Sequence, residues 1–527
     1  MLPWQYQCII LGTGNAALCT AISAVESGCD AARILIIDSC PPSWAGGNTF
    51  FTAAAYRTCH EGLSDLLSIV QKIETDEERL KRIDVEPYTK SQFMEDIFRL
   101  GSGKSNPALV STLVEDSREI VGWLAHDVGV RFMLSTHRQA YDVGGRFKFW
   151  GGLVLTVPDG GKGLIHDLMK KVTDLGIRFK WETTATELYV EDSKHVRGVR
   201  VKNPDGSIET LKSRAVVLAC GGFEANPQMR AEYLGDQWIN AHVRGTPYNK
   251  GDGFKLVRDL PVNLRPDFVG DWGGCHSTCW DFNSSRDEGS RNLTNAYTKS
   301  GYPLGLMINA LGKRYVDEGA DFRNYTYAIY GKATLTQPGG FAFQVWDNKS
   351  RQKLRVEEYG DEVTTKVQAS SVEELAELLE KEGLEDKQAF VATINEYNEA
   401  VETFNMECPN KTFDPSVKDG LGTQSSSKKL PIPKSNWAVK IQEPPFISVK
   451  ITCGITFTFG GLPIDATTAG VKKGNKGEII DGLFAAGEIV GDIFWGNYPG
   501  GSGLTAGAVF GRRAGREIGA LVGQSEQ

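Results

Sequence analysis

The sequence predicts an α/β fold: a Rossmann-like parallel sheet with helices, assembled from both ends of the chain and interrupted by an α+β domain. Three observations predict it. A short apolar run at residues 7–11 (CIILG), a glycine turn, the helical pattern AALCTAISAVESG and a second apolar run, RILIID, ending at Asp38, make a β-α-β unit of about thirty residues. Residues 436–527 return to strand–turn–strand, a glycine loop and a closing helix. Between them, residues 267–435 change character, rich first in Trp, Asn and Asp and then helical. The expected division is 1–266 and 436–527 as two parts of one nucleotide-binding domain, with 267–435 inserted.

GTGNAA, residues 12–17, fits G-x-G-x-x-G/A. Gly12 allows the tight turn, Gly14 removes a Cβ that would block a pyrophosphate, and Ala17 lets helix pack on strand, with Asn15 and Ala16 in the first helical turn. Free N–H groups and the dipole at that helix start favour an anion. Asp38 is placed to take ribose hydroxyls. This motif does not choose between NAD and FAD. The stretch AGGNTFFTAAAYR (45–57) does, because a glycine loop stands where a NAD enzyme would have a further helix. Such a loop runs along a longer cofactor and brings Gly46, Gly47, Asn48, Thr49, Thr52 and Ala53 to it.

Residues 66–128 read as mostly helical, and 176–220 alternate as strands around an NPDG hairpin turn at 203–206. AVVLACGG is a buried strand running into Gly221 and Gly222, followed by a GDG turn with Asp252. In the middle, SSVEELAELLEKEG and QAFVATINEYNEAVETFN carry helical periodicity. GLFAAGEIVGD (482–492) is a strand ending in Ala-Gly-Glu, a second cofactor contact through Gly487 and Glu488. The loop FWGNYPGGSGL (494–504) brings Gly501, Ser502, Gly503 and Leu504, and sets Tyr498 among glycines where a ligand oxygen should arrive.

With 527 residues, 41% hydrophobic and 24% charged, the chain has a soluble globular composition and exceeds one ordinary core. Net charge is -8 and no basic run occurs, which argues against nucleic acid. The ten cysteines are scattered without a CxxC pair, so neither metal nor disulfide scaffold is expected. No signal-peptide pattern opens the sequence and no apolar run reaches bilayer length, so a cytoplasmic location is expected.

Taken together, GTGNAA, GGNT, ACGGF, GDG and GLFAAGE followed by a glycine loop resemble the fumarate reductase/succinate dehydrogenase flavoprotein family. Within it, GGCHSTCWD (273–281), GKRYVDEGADFRNYTYAIYGK (312–332), ITCGITFTFGGLPID (451–465) and GNYPGGSGLTAGAVFGRRAG (496–515) are most similar to its tricarballylate dehydrogenase branch. The resemblance implies an FAD-binding domain interrupted by a mobile capping domain, with substrate held between them. It implies FAD, non-covalent because no histidine stands in GGNTFF, with Glu488 on ribitol or ribose and Ser502, Gly503 and Leu504 beside the flavin N1 and O2 edge. It also implies hydride transfer to flavin N5 and loss of a proton from the neighbouring carbon to a base.

Arg323, in DFRNYTY, matches the family's proton-carrying arginine; the simpler reading, compatible with it and preferred, is a clamp that holds a carboxylate with its fork. His276 matches the substrate-binding histidine. Thr456 and Thr458, Arg57 and Arg244 are further candidate substrate contacts, and Arg146 is a cation of similar loop position. Two departures stand out: Phe457 replaces a second histidine, and Tyr498 replaces a carboxylate-gripping arginine. They argue against plain fumarate or succinate and toward tricarballylate-to-cis-aconitate chemistry. Tyr-Pro-Gly also occurs in ketosteroid dehydrogenases, so a desaturase or ene-reductase acting beside a ketone stays open, as does fumarate-reductase-type reduction. The expected partners are a small carboxylate or enone substrate and an external electron acceptor such as an iron–sulfur protein.

Overall fold

Apolar runs that do not alternate become strands buried on both faces, and those strands form the first sheet. The computed structural model describes residues 4–71, 77–191, 195–262, 273–474 and 477–525. In chain order, the elements that position the site are β1 (Tyr6–Leu11), α1 (Asn15–Glu26), β2 (Ile34–Ile37), β3 (Arg178–Lys180), β4 (His195–Lys202), β5 (Ile208–Leu218), β6 (Cys275–Asp281), β7 (Leu306–Asn309), β8 (Ala342–Trp346), α2 (Val372–Glu380), α3 (Lys387–Glu407), β9 (Phe446–Thr458), β10 (Glu478–Ala485) and α4 (Ser502–Ser525). The parallel sheet runs β10–β5–β1–β2–β3. Every residue of β1 and β2 is buried. β5 is paired in two ways within this sheet: Ile208–Lys212 pairs antiparallel with β4 across the NPDG turn, and its second half lies parallel to β1.

The second sheet is built on β9, thirteen residues long, with β6 and β8 antiparallel on its two sides and β7 beyond β8. Leu375, Leu379, Phe390 and Ile394 of α2 and α3 pack on Leu306, Ile308, Phe343 and Val345 of this sheet. Each helix starts at a side-chain cap: Ser371 accepts from the Glu374 amide and Asp386 from the Ala389 amide. β9, which lies beyond residue 435, belongs to the second sheet, and the first sheet resumes after Thr458 with β10. The expected boundary at 266/267 lies outside the described residues. Among the described residues, no helix is long and apolar enough to cross a membrane.

α1 and α4, from opposite ends of the chain, pack at a distance only small residues allow. Gly507, Gly511, Gly515 and Gly519 recur every four residues along α4. A Cβ on Gly511 would lie 2.6 Å from the Ala16 carbonyl oxygen, one on Gly515 2.6 Å from that of Thr20, and one on Gly519 2.3 Å from that of Ser27. The Ser23 hydroxyl donates to the Arg512 carbonyl at 2.8 Å, closing the seam. Gly515→Val should therefore destabilise the protein by about 3 kcal/mol. Gly523→Ala, whose added methyl meets nothing within 4 Å, should be neutral or stabilising by about 0.5 kcal/mol. Urea denaturation of the two variants against the parent checks the pair.

Candidate active site

The cleft opens where β1 ends and α1 begins. Gly12 has φ +109° and no room for a side chain, a Cβ there lying 2.3 Å from the Ala219 oxygen. Gly14, the N-cap of α1, differs: a Cβ there would come no closer than 3.6 Å to any protein atom. The folded chain does not need glycine at 14, but close approach of a ligand's pyrophosphate to the backbone would. No acidic residue lies in the first turn of α1 to repel an anion. Asp38 accepts from the Thr13 hydroxyl at 2.6 Å and the Cys40 amide at 3.0 Å, and lines the cleft at the end of β2.

From there the lining runs through Gly47, Asn48, Thr49, Thr52 and Ala53, then Gly221, Asp252, Gly487 and Glu488, to Gly501, Gly503 and Leu504 at the start of α4. Thr49 Oγ1 accepts from the Asn15 amide at 3.1 Å, and the Asn15 side chain donates to the Leu504 carbonyl at 2.9 Å. Asn48 donates to the Thr456 carbonyl at 2.6 Å and accepts from the Thr246 amide at 2.9 Å. Gly46, Ala17, Gly222 and Ser502 sit behind this wall. Gly46 donates its amide to Thr13 Oγ1, a Cβ on Gly222 would strike Glu488, and Ser502 bonds the Pro499 carbonyl. Burial raises the pKa of Glu488 and, together with the Glu488 charge, raises that of Glu224 well above the carboxylate range, so a proton stays with this buried pair. Two helix N-termini, an acid at the ribose position and a continuous lining between them fit an FAD dinucleotide.

The far end of the cleft is built by the 496–501 loop and the segment around Arg323. The Asn497 side chain donates to the Tyr325 carbonyl at 2.7 Å, and the Gly500 amide donates to the Asn324 carbonyl at 2.8 Å. This lacing sets the Tyr498 and Tyr327 hydroxyls 2.8 Å apart. The Tyr498 ring packs on Phe457, Phe459 and Phe494 at 5.2–5.8 Å between centroids. The His276 ring lies 4.8 Å from that of Tyr327 and 5.5 Å from that of Tyr498. Burial raises the pKa of both phenols and lowers that of His276 well below the imidazole range, with Arg244 adding to the latter. All three groups are neutral near pH 7.

Arg138, Arg244, Arg323 and Arg355 line this end, whereas the acids lining the cleft are Asp38, Asp252 and Glu488 toward the nucleotide. Arg244 donates to Thr456 Oγ1 at 3.0 Å, and Arg323 to the Arg138 carbonyl at 2.7 Å. Several buried polar atoms of the lining have no protein partner: His276 Nδ1, Arg244 Nε, Thr298 Oγ1 and both amide atoms of Asn324. Such atoms cost free energy unless a ligand or water meets them.

Three expected substrate contacts are placed elsewhere. Arg57 is fully buried behind the loop, donating to the Gly500 carbonyl at 2.9 Å and to Tyr88 at 3.0 Å; its neighbours Tyr88 and Tyr325 share Asp96. It supports the loop that carries Tyr498. Thr458 turns its amide and hydroxyl to Glu488. Arg146 is exposed and paired with Asp84. Arg138, Arg355, Tyr327, Asn324 and Thr298 were not foreseen. Asn324 and Tyr327 share the DFRNYTY segment with Arg323 and could have been read from it, but Arg138 and Arg355 have no local signature.

Fold and cleft together define an FAD-dependent oxidoreductase. The chain belongs to the FAD binding domain family, whose model matches residues 85–504, and is a flavoprotein of the fumarate reductase/succinate dehydrogenase type. The GTGNAA turn precedes the matched region and rests on its own geometry. The chain is 26% identical over 517 residues to the NADH:fumarate oxidoreductase of Klebsiella pneumoniae (strain 342), covering 98% of this chain and 48% of that protein, so it spans about half of that relative. It is 26% identical over 388 residues to the 3-oxosteroid 1-dehydrogenase of Mycolicibacterium smegmatis, covering 70% of this chain and 63% of the other. The open conformation of a flavocytochrome c3 fumarate reductase shares the fold, with a TM-score of 0.69, 23% identity, and coverage of 98% of this chain and 79% of that one.

Gly14→Ala should leave the stability of the apoprotein within about 0.5 kcal/mol and weaken FAD binding at least tenfold, as read by flavin retention and Tm with and without added FAD. Protonation of His276 would favour the unfolded chain, so its contribution to stability is complete above the unfolded pKa of about 6.5 and is lost as pH falls below it. Histidine NMR should show His276 neutral from pH 8 down to 6.

Proposed function

We propose that this protein is an FAD-dependent dehydrogenase that forms a C=C bond next to a carboxylate, of the tricarballylate-to-cis-aconitate type. The observation that supports it is the pairing of Arg244 and Arg323 with the neutral Tyr498–Tyr327 hydroxyls, at an end of the cleft whose lining carries no acid. Non-covalently bound FAD supplies the two-electron acceptor. Arg323 takes the proton from the adjacent carbon in its neutral form, and the guanidinium so formed grips the carboxylate with its planar fork. Arg244, held by Thr456, orients the same carboxylate from the opposite wall. Tyr498 donates one hydrogen bond to a substrate oxygen without adding charge, and Tyr327 fixes the direction of that bond. Neutral His276 offers Nδ1 to a substrate hydroxyl or carboxyl group. The phenylalanines beneath Tyr498 keep water from the reacting carbons. Electrons leave to an external carrier, for which an iron–sulfur protein is one class.

A second reading, oxidation or reduction beside a ketone, is favoured by the aromatic bed under Tyr498 and the similarity to a 3-oxosteroid 1-dehydrogenase. There Tyr498 polarises the carbonyl. Anaerobic titration with tricarballylate, followed by flavin absorbance, separates the readings. The expected result is bleaching, slowed by Arg323→Ala on the order of 10²–10⁴-fold and by Tyr498→Phe about tenfold. Flavin that dithionite reduces but tricarballylate does not, together with bleaching by a cyclic 3-ketone, would reject the carboxylate reading.

A further inference from the structure

We propose that Arg138, Arg355 and the Thr298 hydroxyl form a second anion subsite, which takes a carboxylate carried outside the bond being oxidised. The inference rests on the carboxylate reading above and narrows it to substrates with carboxylates on separated carbons.

The subsite is assembled around one carboxylate. Glu358 is fully buried; its Oε1 accepts from Arg138 at 2.9 Å and from Arg355 at 3.1 Å. Its Oε2 accepts from the Ser300 amide at 3.1 Å and the Ser300 hydroxyl at 2.6 Å. One acid therefore holds two guanidiniums from distant parts of the chain, and a positive charge is left over. Both arginines reach the cleft, with side chains 16% and 12% exposed. Two residues before Ser300, Thr298 also lines the cleft, and its hydroxyl is buried without a protein partner.

A purely structural network would be expected to balance its charges and satisfy its donors, because buried unpaired charge is costly. Here burial opposes the charge on Arg138 more than Glu358 and Glu357 favour it, and Arg323 and Arg244 oppose it further. An oxyanion at this place would balance the excess cation and meet the Thr298 hydroxyl together. Arg323 donates to the Arg138 carbonyl, so the two anion positions are neighbours along the cleft. A monocarboxylate or a simple ketone would leave the second one empty.

The test is equilibrium binding to the anaerobic holoenzyme, by calorimetry and by perturbation of the flavin spectrum, with butyrate, succinate, tricarballylate and inorganic phosphate. Wild-type protein should bind tricarballylate at least tenfold more tightly than succinate. Arg355→Gln should cut that ratio to about one, and Arg355→Lys, which keeps the charge and guards against misfolding, should restore part of it. Phosphate should compete with tricarballylate and lose affinity in Arg355→Gln. A tricarballylate-to-succinate ratio near one in the wild type, or a ratio unchanged by Arg355→Gln, would overturn the proposal. Phosphate that binds without competing would overturn the assignment of the subsite to substrate. Arg355-dependent binding of tricarballylate without bleaching of the flavin would retain the subsite and reject only the reaction.

Discussion

The close packing of the first helix on the last is the constraint on which the site depends. α1 follows the first strand, and α4 closes the chain. Because glycines at 511, 515 and 519 admit the backbone of α1 to van der Waals contact, the two helices run as one unit. Their N-termini consequently open on the same cleft, at Gly14 and at Ser502. Each terminus brings the positive end of a dipole. One is suited to the pyrophosphate of FAD and the other to the electron-rich edge of its ring. The Asn15 side chain bridges the pair by donating to the Leu504 carbonyl. Thr49 then bonds the Asn15 amide, and Asn48 completes the wall against Thr456, hundreds of residues away.

The nucleotide end was legible because its residues are local in sequence. GTGNAA, the following helix and Asp38 are set by one β-α-β unit, and a short motif suffices to place them. The alternating strands and the NPDG turn were legible for the same reason. The substrate end was less so. Arg138 and Arg355 meet only because both bond Glu358, a pairing that depends on tertiary structure. Arg57 misled because a cation beside a glycine loop suggests a ligand, whereas the fold buries it among Tyr88, Tyr325 and Asp96. The role of β9 in the second sheet was hidden by the polar stretch before it, which reads as a linker. The repeat of glycines along α4 was visible in the letters but needed its partner helix to be understood.

Charge separates the two ends of the cleft. Asp38, Asp252 and Glu488 are the acids of the lining, and Arg138, Arg244, Arg323 and Arg355 are its arginines. Tyr498, Tyr327 and His276 stand between them uncharged. A neutral layer there lets hydrogen bonds steer an oxygen without fixing a charge on it, while the guanidiniums further along supply the attraction. Specificity for shape and attraction for charge are thus carried by different side chains.

The lacing of the 496–501 loop to Asn324 and Tyr325 ties alignment of the hydroxyl pair to closure of the cleft. Any swing of the Arg323 segment away from the loop removes Tyr327, Arg323 and Asn324 from Tyr498 in a single movement. Admission of solvent and dismantling of the donor set become one event. A gaping molecule would then hold its cofactor without the apparatus to use it.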